Sequence, residues 1–143
     1  MELKAEIIHI DGPDKTGKDS IRREIVKLGK GNYLVYVRSF LSQIAYSRLY
    51  NRNINEEFFF ECWSYATNIL DNKFFFIDCT YKLAKERFIK HSEKDLDIKD
   101  WKKHRDIFLE VIYEAERMGI KINRIDTTTD TIKQSANKIK RIL

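Results

Sequence analysis

The residues with the clearest chemical purpose lie in one short segment, Gly12 to Lys18, which reads GPDKTGK. A glycine, four residues, a second glycine and a lysine form the spacing of a phosphate-binding loop. Such a loop turns successive backbone N–H groups toward a phosphate, and its glycines permit unusual dihedrals and close approach. Lys18 would reach the outer phosphates, and the positive end of the following helix would face them. The residues predicted to bind nucleotide phosphates are Gly12, Pro13, Asp14, Lys15, Thr16, Gly17 and Lys18.

The position after the lysine carries a carboxylate where this pattern usually has a hydroxyl that holds magnesium. Asp19 occupies that position, and Ser20 comes next. An aspartate beside phosphates would repel them unless a metal ion lies between. Asp19 is therefore a candidate Mg²⁺ ligand, directly or through water, with Ser20 as the competing candidate. The alternative interpretation is a glycine-rich turn with helix-capping residues, but the apolar run before the segment and the helical pattern after it favour a phosphate loop.

Length and composition predict one globular domain covering residues 1–143. No run is long and apolar enough to span a membrane, and the amino terminus MELKAEII lacks the layout of a signal peptide. Cys62 and Cys79 lie in apolar segments without metal-ligand spacing, so we expect reduced core thiols. These features predict a cytoplasmic protein without a membrane partner.

The net charge of +5 and the pI near 9.1 favour anionic partners without choosing among them. Nucleotide phosphates would be enough to explain this balance. No basic block with interleaved aromatic residues is present, so a nucleic-acid partner stays open without being required. The three histidines are scattered and do not form a zinc-site pattern.

Short apolar strands and helical patterns follow one another along the chain. The strands are predicted at Glu6 to Asp11, Tyr33 to Val37, Lys73 to Cys79 and Ile120 to Asp126. The helices are predicted over residues 18–29, 42–51, 56–70, 81–94 and 97–118, with a last helix capped by Thr129 or Asp130. This order predicts an α/β three-layer sandwich of the P-loop kinase type, with a parallel sheet of about four strands flanked by helices. Polar residues follow each strand, so we expect them to gather at the carboxyl edge of the sheet, where ligands bind.

Beyond the loop, the chain resembles the thymidylate kinases, within the P-loop nucleoside monophosphate kinases. GPDKTGK matches their loop GxDxxGK(S/T) up to the lysine, and VRSFLSQIAY is similar to their DR(Y/H)xxSxxAY. In the second motif Val37 and Ser39 depart from the pattern. The matching residues there are Arg38, Ser42, Ala45 and Tyr46. Later segments match in the same order: FFFIDCTYKLAKERF is similar to LxLDVPPExALERI, and KHRDIFLEV is similar to RVRxxYLEL.

The resemblance implies an acceptor site built on the first two motifs. Asp14 would lie near the sugar of a bound monophosphate, and Arg38 would hold its phosphate, a role that suits a bidentate guanidinium. Ser42 and Tyr46 would complete the substrate site. Lys15 would help to stabilise the transferring phosphoryl group, so the catalytic residues implied by the resemblance are Lys15, Lys18 and Arg38.

On the donor side, the resemblance places Thr127 and Thr128 beside the adenine of ATP. A short lid over roughly residues 88–98 would cover the site with cations. The implied lid residues are Arg87, Lys90 and Lys94.

The chain is shorter than the family members, because a strand, an arginine-containing motif and a helix of the monophosphate site are missing between Lys27 and Tyr33. The expected substrate pocket is therefore open on one side. We expect ATP-dependent phosphoryl transfer to a (deoxy)nucleoside monophosphate, with ATP and Mg²⁺ as cofactors, and a homodimer is the form that related kinases commonly take. Two alternatives stay open: a kinase acting on nucleotides within nucleic acid, and a nucleotide-binding regulatory or interaction module without transfer activity.

Each predicted role also has a structural alternative. Arg38 could be a surface ion-pair partner, and Arg87 and Arg105 could simply brace helices. Tyr46 and Trp63 could be core residues rather than platforms for a base.

Overall fold

The structure, a computed structural model, describes residues 5–91 and 98–143, so most of the predicted lid, Lys94 included, lies outside the described residues. Each strand is followed by one or two helices. The strands are β1 (Glu6–Asp11), β2 (Tyr33–Val37), β3 (Lys73–Asp78) and β4 (Asn123–Asp126). The helices are α1 (Lys18–Gly29), α2 (Phe40–Leu49), α3 (Glu56–Asn68), α4 (Tyr81–His91), α5 (Ile98–Arg117) and α6 (Ile132–Ile142).

The four strands form one parallel sheet in the order β2-β1-β3-β4. β1 lies inside the sheet, where His9 is paired with Tyr36 of β2 and with Phe74 of β3. Because parallel strands all end at the same edge, the polar residues that follow them meet there. The predicted fold class, a small parallel sheet flanked by helices, is confirmed.

Helices cover both faces of the sheet. In β3, Phe75 and Ile77 pack with α1 and α6, while Phe74 and Phe76 pack with α2, α3 and α5. All four side chains are buried, as expected for an interior strand of a parallel sheet. This alternation produces the predicted three layers and fixes the carboxyl edge between the two helical layers.

Helix α2 begins at Phe40 rather than at residue 42, and the cause lies outside the helix. The Ser39 side chain makes no capping hydrogen bond. Instead, Asp11 Oδ1 accepts hydrogen bonds from the backbone N–H groups of Ser39 (2.7 Å) and Ser42 (3.2 Å). A carboxylate from β1 therefore satisfies donors of the first turn that a local cap would otherwise serve.

The predicted cap of the last helix was wrong. Thr131, rather than Thr129 or Asp130, is the N-cap of α6. Its hydroxyl accepts a hydrogen bond from the N–H of Gln134 (3.1 Å), and the Gln134 side chain accepts one from the N–H of Thr131 (2.8 Å). Two reciprocal bonds of this kind define the helix start more strongly than a single cap does.

Other element ends differ from the predictions by a few residues. β3 ends at Asp78, β4 begins at Asn123, and α3 ends at Asn68, so these predicted elements were too long. Asn55 is the N-cap of α3, and its side chain accepts a hydrogen bond from the N–H of Phe58 (3.1 Å).

Helix α3 buries only one face. Phe60 and Trp63 lie in the core, but Phe58 is 57% exposed and Tyr65 is 55% exposed. The helical period places the exposed pair on the opposite side of the helix from the buried pair. In the described part of the chain, no helix is both long and apolar enough to cross a membrane.

Candidate phosphate-binding site

The loop predicted from its spacing connects β1 to α1 at the carboxyl edge of the sheet. Gly12 has φ +156° and lies against the neighbouring strand, where a Cβ atom would be 2.2 Å from the carbonyl oxygen of Ile77. Gly17, directly before the helix, has φ +94°. Both positions therefore need glycine, the first for close approach and the second for its backbone conformation.

Lys18 folds back across the loop. Its Nζ lies 2.6 Å from the carbonyl oxygen of Gly12 and 2.8 Å from that of Pro13, and the side chain is only 7% exposed. Thr16 Oγ1 also donates a hydrogen bond to the Pro13 oxygen, at 2.9 Å. Burial lowers the pKa of the Lys18 ammonium from its usual value, partly offset by the charge of Asp14.

The next three carbonyl groups of the loop are held from outside by three different elements. The indole Nε1 of Trp101 in α5 donates to the Asp14 oxygen at 2.7 Å, and a guanidinium nitrogen of Arg87 in α4 donates to the Lys15 oxygen at 2.5 Å. The hydroxyl of Thr127, just after β4, donates to the Thr16 oxygen at 2.9 Å. The described peptide bonds are all trans, so each N–H points away from its carbonyl. Each anchored carbonyl therefore turns the N–H of its own peptide away from the anchor, which leaves that N–H available to a phosphate-binding loop.

A cavity of about 670 Å³ lies beside this loop. It brings together part of the predicted phosphate set, both metal candidates, and Asp14 and Arg38 of the acceptor set, but not Ser42 or Tyr46, and it offers three cationic and two acidic side chains. The lining residues are Asp14, Lys15, Gly17, Lys18, Asp19, Ser20, Val37 and Arg38.

Arg38 reaches this cavity from the end of β2. Its backbone N–H donates to the carbonyl oxygen of Ile10 at 3.1 Å, and its φ is +68°, a strained value for a residue with a Cβ atom. The side chain is exposed, and its charge acts on both Lys18 and Tyr46. Arg38 thus lines the same cavity as the loop residues Lys15 and Lys18.

The sequence analysis assigned no role to Asp11, the last residue of β1. It is 1% exposed, and burial raises the pKa of its carboxyl, although bonds from Ser42 and Ser39 oppose the shift. Its Oδ1 holds the start of α2 and therefore the position of Arg38, one residue before that helix cap. The only signal for it was an acidic residue at the end of a buried strand.

The residues predicted for the acceptor differ in exposure. Ser42 is 2% exposed, and its hydroxyl donates to Asp11 Oδ1 at 2.5 Å, so it supports α2. Tyr46 is half-buried, and burial together with the charge of Asp14 raises the pKa of its phenol to about 12. His104 of α5, which the sequence did not single out, meets Tyr46 edge to face with 6.1 Å between ring centroids. Burial lowers the pKa of this histidine.

Of the two residues predicted to flank adenine, Thr127 supports the loop, Thr128 bonds to neighbours at the sheet edge, and neither is among the residues that line the cavity. Thr127 is buried beneath the loop, with its hydroxyl also 3.0 Å from the Asp78 oxygen. Thr128 Oγ1 accepts a hydrogen bond from the N–H of Thr80. The hydroxyl and the backbone N–H of Thr128 both donate to Asp126 Oδ1, and these two bonds lower the pKa of Asp126. Their contact with adenine stays a prediction.

The basic residues around the predicted lid and on the neighbouring α5 differ in their contacts. Arg87 donates a hydrogen bond to the loop, whereas its structural alternative was to brace helices, and Lys90 is exposed. Lys15 places its Nζ 5.5 Å from the ring centroid of Phe88. Arg105 forms a bidentate ion pair with Asp78, with contacts between 2.8 and 3.2 Å. These contacts tie α4 and α5 to the carboxyl edge of the sheet.

Comparison with known proteins gave matches among solved structures alone. No protein-family model and no curated protein sequence matches the chain. The structure of deoxyadenosine kinase from M. mycoides with bound dCTP is similar, with a TM-score of 0.61, 14% identity, and coverage of 95% of this chain and 97% of that chain. The same enzyme with bound dATP gives a TM-score of 0.57 at 14% identity, covering 95% and 98% of the two chains. At this identity the likeness establishes a shared fold.

Proposed function

We propose that the protein transfers the γ-phosphoryl group of ATP to a nucleoside-type acceptor, and that a (deoxy)nucleoside monophosphate is the first candidate. One observation carries the proposal: the cavity that contains Lys18 and the braced loop also contains Arg38, delivered by a different strand. A guanidinium beside a phosphate loop suits a second anionic group next to the first. Phosphoryl transfer needs this kind of positioning and charge neutralisation more than covalent chemistry.

On the donor side, the loop N–H groups and Lys18 would bind the β- and γ-phosphates. The Lys18 ammonium already lies inside the loop, held by two carbonyl oxygens, so little reorganisation is needed when phosphates arrive. Lys15 lies at the same cavity and would neutralise charge on the transferring group.

The residues present fit a magnesium ion. Asp19 and Ser20 are exposed and line the cavity, offering hard oxygen ligands next to the phosphate positions. Mg²⁺ in such sites is held by one or two protein oxygens together with water and substrate phosphates, so a larger protein cluster is not required. The ion would neutralise the phosphate charges and orient the transferring group.

On the acceptor side, Arg38 would hold the phosphate of the monophosphate and Asp14 would orient its sugar. Tyr46 and His104 would offer aromatic edges next to Asp14, whose charge acts on both side chains. A free deoxynucleoside is the second candidate, because the two similar structures from M. mycoides are deoxyadenosine kinases.

The decisive experiment incubates the protein with Mg²⁺-ATP and a panel of nucleosides and nucleoside monophosphates, following ADP and phosphorylated product. We expect turnover on at least one acceptor, a loss of about 100-fold or more in Lys18→Ala, and a KM for that acceptor about tenfold higher in Arg38→Ala. The exposed Arg23 of α1 supplies the control variant Arg23→Ala, which should behave like the wild type.

Adding a single-stranded oligonucleotide to the panel separates the alternatives. Transfer only to an oligonucleotide would identify a polymeric acceptor. ATP binding without transfer to any acceptor would contradict the kinase proposal and favour a nucleotide-binding module. An acceptor KM unchanged in Arg38→Ala would remove Arg38 from the acceptor site.

A further inference from the structure

Trp101 is a buried tryptophan whose ring N–H contacts the phosphate loop. It is 1% exposed and packs with Cys79, Ala84 and Phe88 in a small cluster beside the loop. Its Nε1 lies 2.7 Å from the carbonyl oxygen of Asp14, a residue 87 positions away in the chain. Packing in this cluster accounts for the burial of the indole ring, but it does not account for the direction of the ring N–H.

The contact acts on one peptide plane of the loop. The Asp14–Lys15 peptide is trans, so holding the Asp14 oxygen turns the N–H of Lys15 to the opposite side. Arg87 and Thr127 hold the next two carbonyl oxygens, and each of these peptides likewise turns its N–H, that of Thr16 or Gly17, away from its own anchor. Of these three anchors, only Trp101 uses an uncharged ring N–H, which stays a donor at any working pH.

We propose that Trp101 is a positioning residue of the phosphate loop, whose indole N–H orients the Lys15 N–H toward a bound polyphosphate. The inference rests on the proposed function, since it requires the loop to bind nucleotide phosphates. Its chemistry is a single neutral hydrogen bond, so its removal should weaken polyphosphate binding without abolishing it.

The chain supplies a matched control. Trp63 is the other of the two tryptophans. It is 0% exposed, and its Nε1 has no hydrogen-bond partner in the described part of the chain. Trp63→Phe and Trp101→Phe therefore remove the same atoms from buried sites, but only Trp101→Phe removes an anchor from the loop.

The experiment measures binding of ATP and of inorganic tripolyphosphate, both with Mg²⁺, by calorimetry on the full chain. We expect both to bind the wild type, Trp101→Phe to weaken both by about tenfold, and Trp63→Phe to stay within about twofold of the wild type. The steady-state KM for ATP should rise in Trp101→Phe more than the KM for the acceptor, whose proposed site includes Asp14 itself. Purely structural damage would move both constants alike.

Two results would overturn the inference: wild-type affinity in Trp101→Phe, or an equal loss in Trp63→Phe. If Trp101→Phe fails to fold, 3-benzothienylalanine at position 101 of Trp63→Phe keeps the bicyclic ring and replaces the N–H with sulfur, which cannot donate, and the same tenfold loss is expected. Failure of the wild type to bind either probe would overturn the proposed function itself, and this inference with it. A loss of affinity confined to the variants at position 101, with the wild type still binding both probes, supports the role of Trp101 and does not contradict the proposed function.

Discussion

Asp11 Oδ1 lies 2.5 Å from the hydroxyl oxygen of Ser42, so the last residue of β1 is bonded to the first turn of α2. The same oxygen accepts two backbone N–H groups of that turn, from Ser39 and Ser42. The strand that delivers the phosphate loop therefore also sets the start of α2. Arg38 directly precedes Ser39, the N-cap of α2, so one buried carboxylate sets its position relative to the loop.

This carboxylate should make stability depend on pH. Burial raises the pKa of Asp11 above its unfolded value, so the native state binds the proton more tightly, and the free energy of unfolding falls as pH rises between those two pKa values. Asp11→Asn keeps an oxygen acceptor and loses the charge. Urea unfolding between about pH 4 and 8 should show Asp11→Asn gaining stability relative to the wild type as pH rises.

The exposed Asp106 gives the control for that measurement, because Asp106→Asn removes a carboxylate from the surface. Its stability difference from the wild type should change little over the same range. A difference between Asp11→Asn and the wild type that is independent of pH would contradict the expected burial effect.

Local patterns predicted the order of strands and helices because each element carries its own signal. The apolar run of β1 and the spacing of the loop both lie within neighbouring residues, so the sequence alone was enough. Element ends were less accurate where a distant residue decides them. No pattern within α2 reveals that Asp11 caps it, and this is why its start was placed two residues late.

In the candidate site, too, features set by neighbouring residues were predicted and features set by distant residues were not. The spacing identified the glycines and Lys18, whose conformations depend on the loop itself. The anchors Trp101, Arg87 and Thr127 come from more distant elements, and only the folded sheet edge brings them to the loop. The resemblance proposed Arg87 for the lid and Thr127 for the adenine, but it did not reveal that both hold carbonyl oxygens of the loop.

Gly12→Ala should be strongly destabilising. Its Cβ would lie 2.2 Å from the backbone oxygen of Ile77, which cannot move without distorting β3. We expect a loss of about 1–3 kcal/mol in the free energy of unfolding, together with weaker ATP binding. Gly31→Ala is the control: its φ is +88°, but nothing lies within 4 Å of the added atom, so ATP binding should be retained. Equal ATP affinity in Gly12→Ala and the wild type would contradict the close-approach explanation.

Arg38→Gly should weaken acceptor binding without lowering the stability of the fold. The backbone of Arg38 has φ +68°, which costs on the order of 1 kcal/mol for a residue with a Cβ atom. Glycine removes that strain and the guanidinium together. Thermal unfolding should therefore show equal or higher stability, while the acceptor KM rises about tenfold. The control Lys30→Gly relieves a similar strain, at φ +47° at the end of α1. It should stabilise the protein without changing the KM for ATP or for the acceptor. A clearly less stable Arg38→Gly would show that the side chain stabilises the fold.

Thr127→Val tests the support beneath the loop. The Thr127 hydroxyl is buried and lies 2.9 Å from the Thr16 oxygen and 3.0 Å from the Asp78 oxygen. Valine keeps the shape but leaves the Thr16 oxygen without that donor, which should lower the free energy of unfolding by about 1–3 kcal/mol. ATP binding should weaken as well, because the N–H of Gly17 belongs to the peptide that this bond holds. Chemical denaturation and calorimetry measure both effects, with the exposed Thr129→Val as the control. Normal ATP affinity in a destabilised Thr127→Val would mean that the loop keeps its phosphate-binding conformation without this anchor.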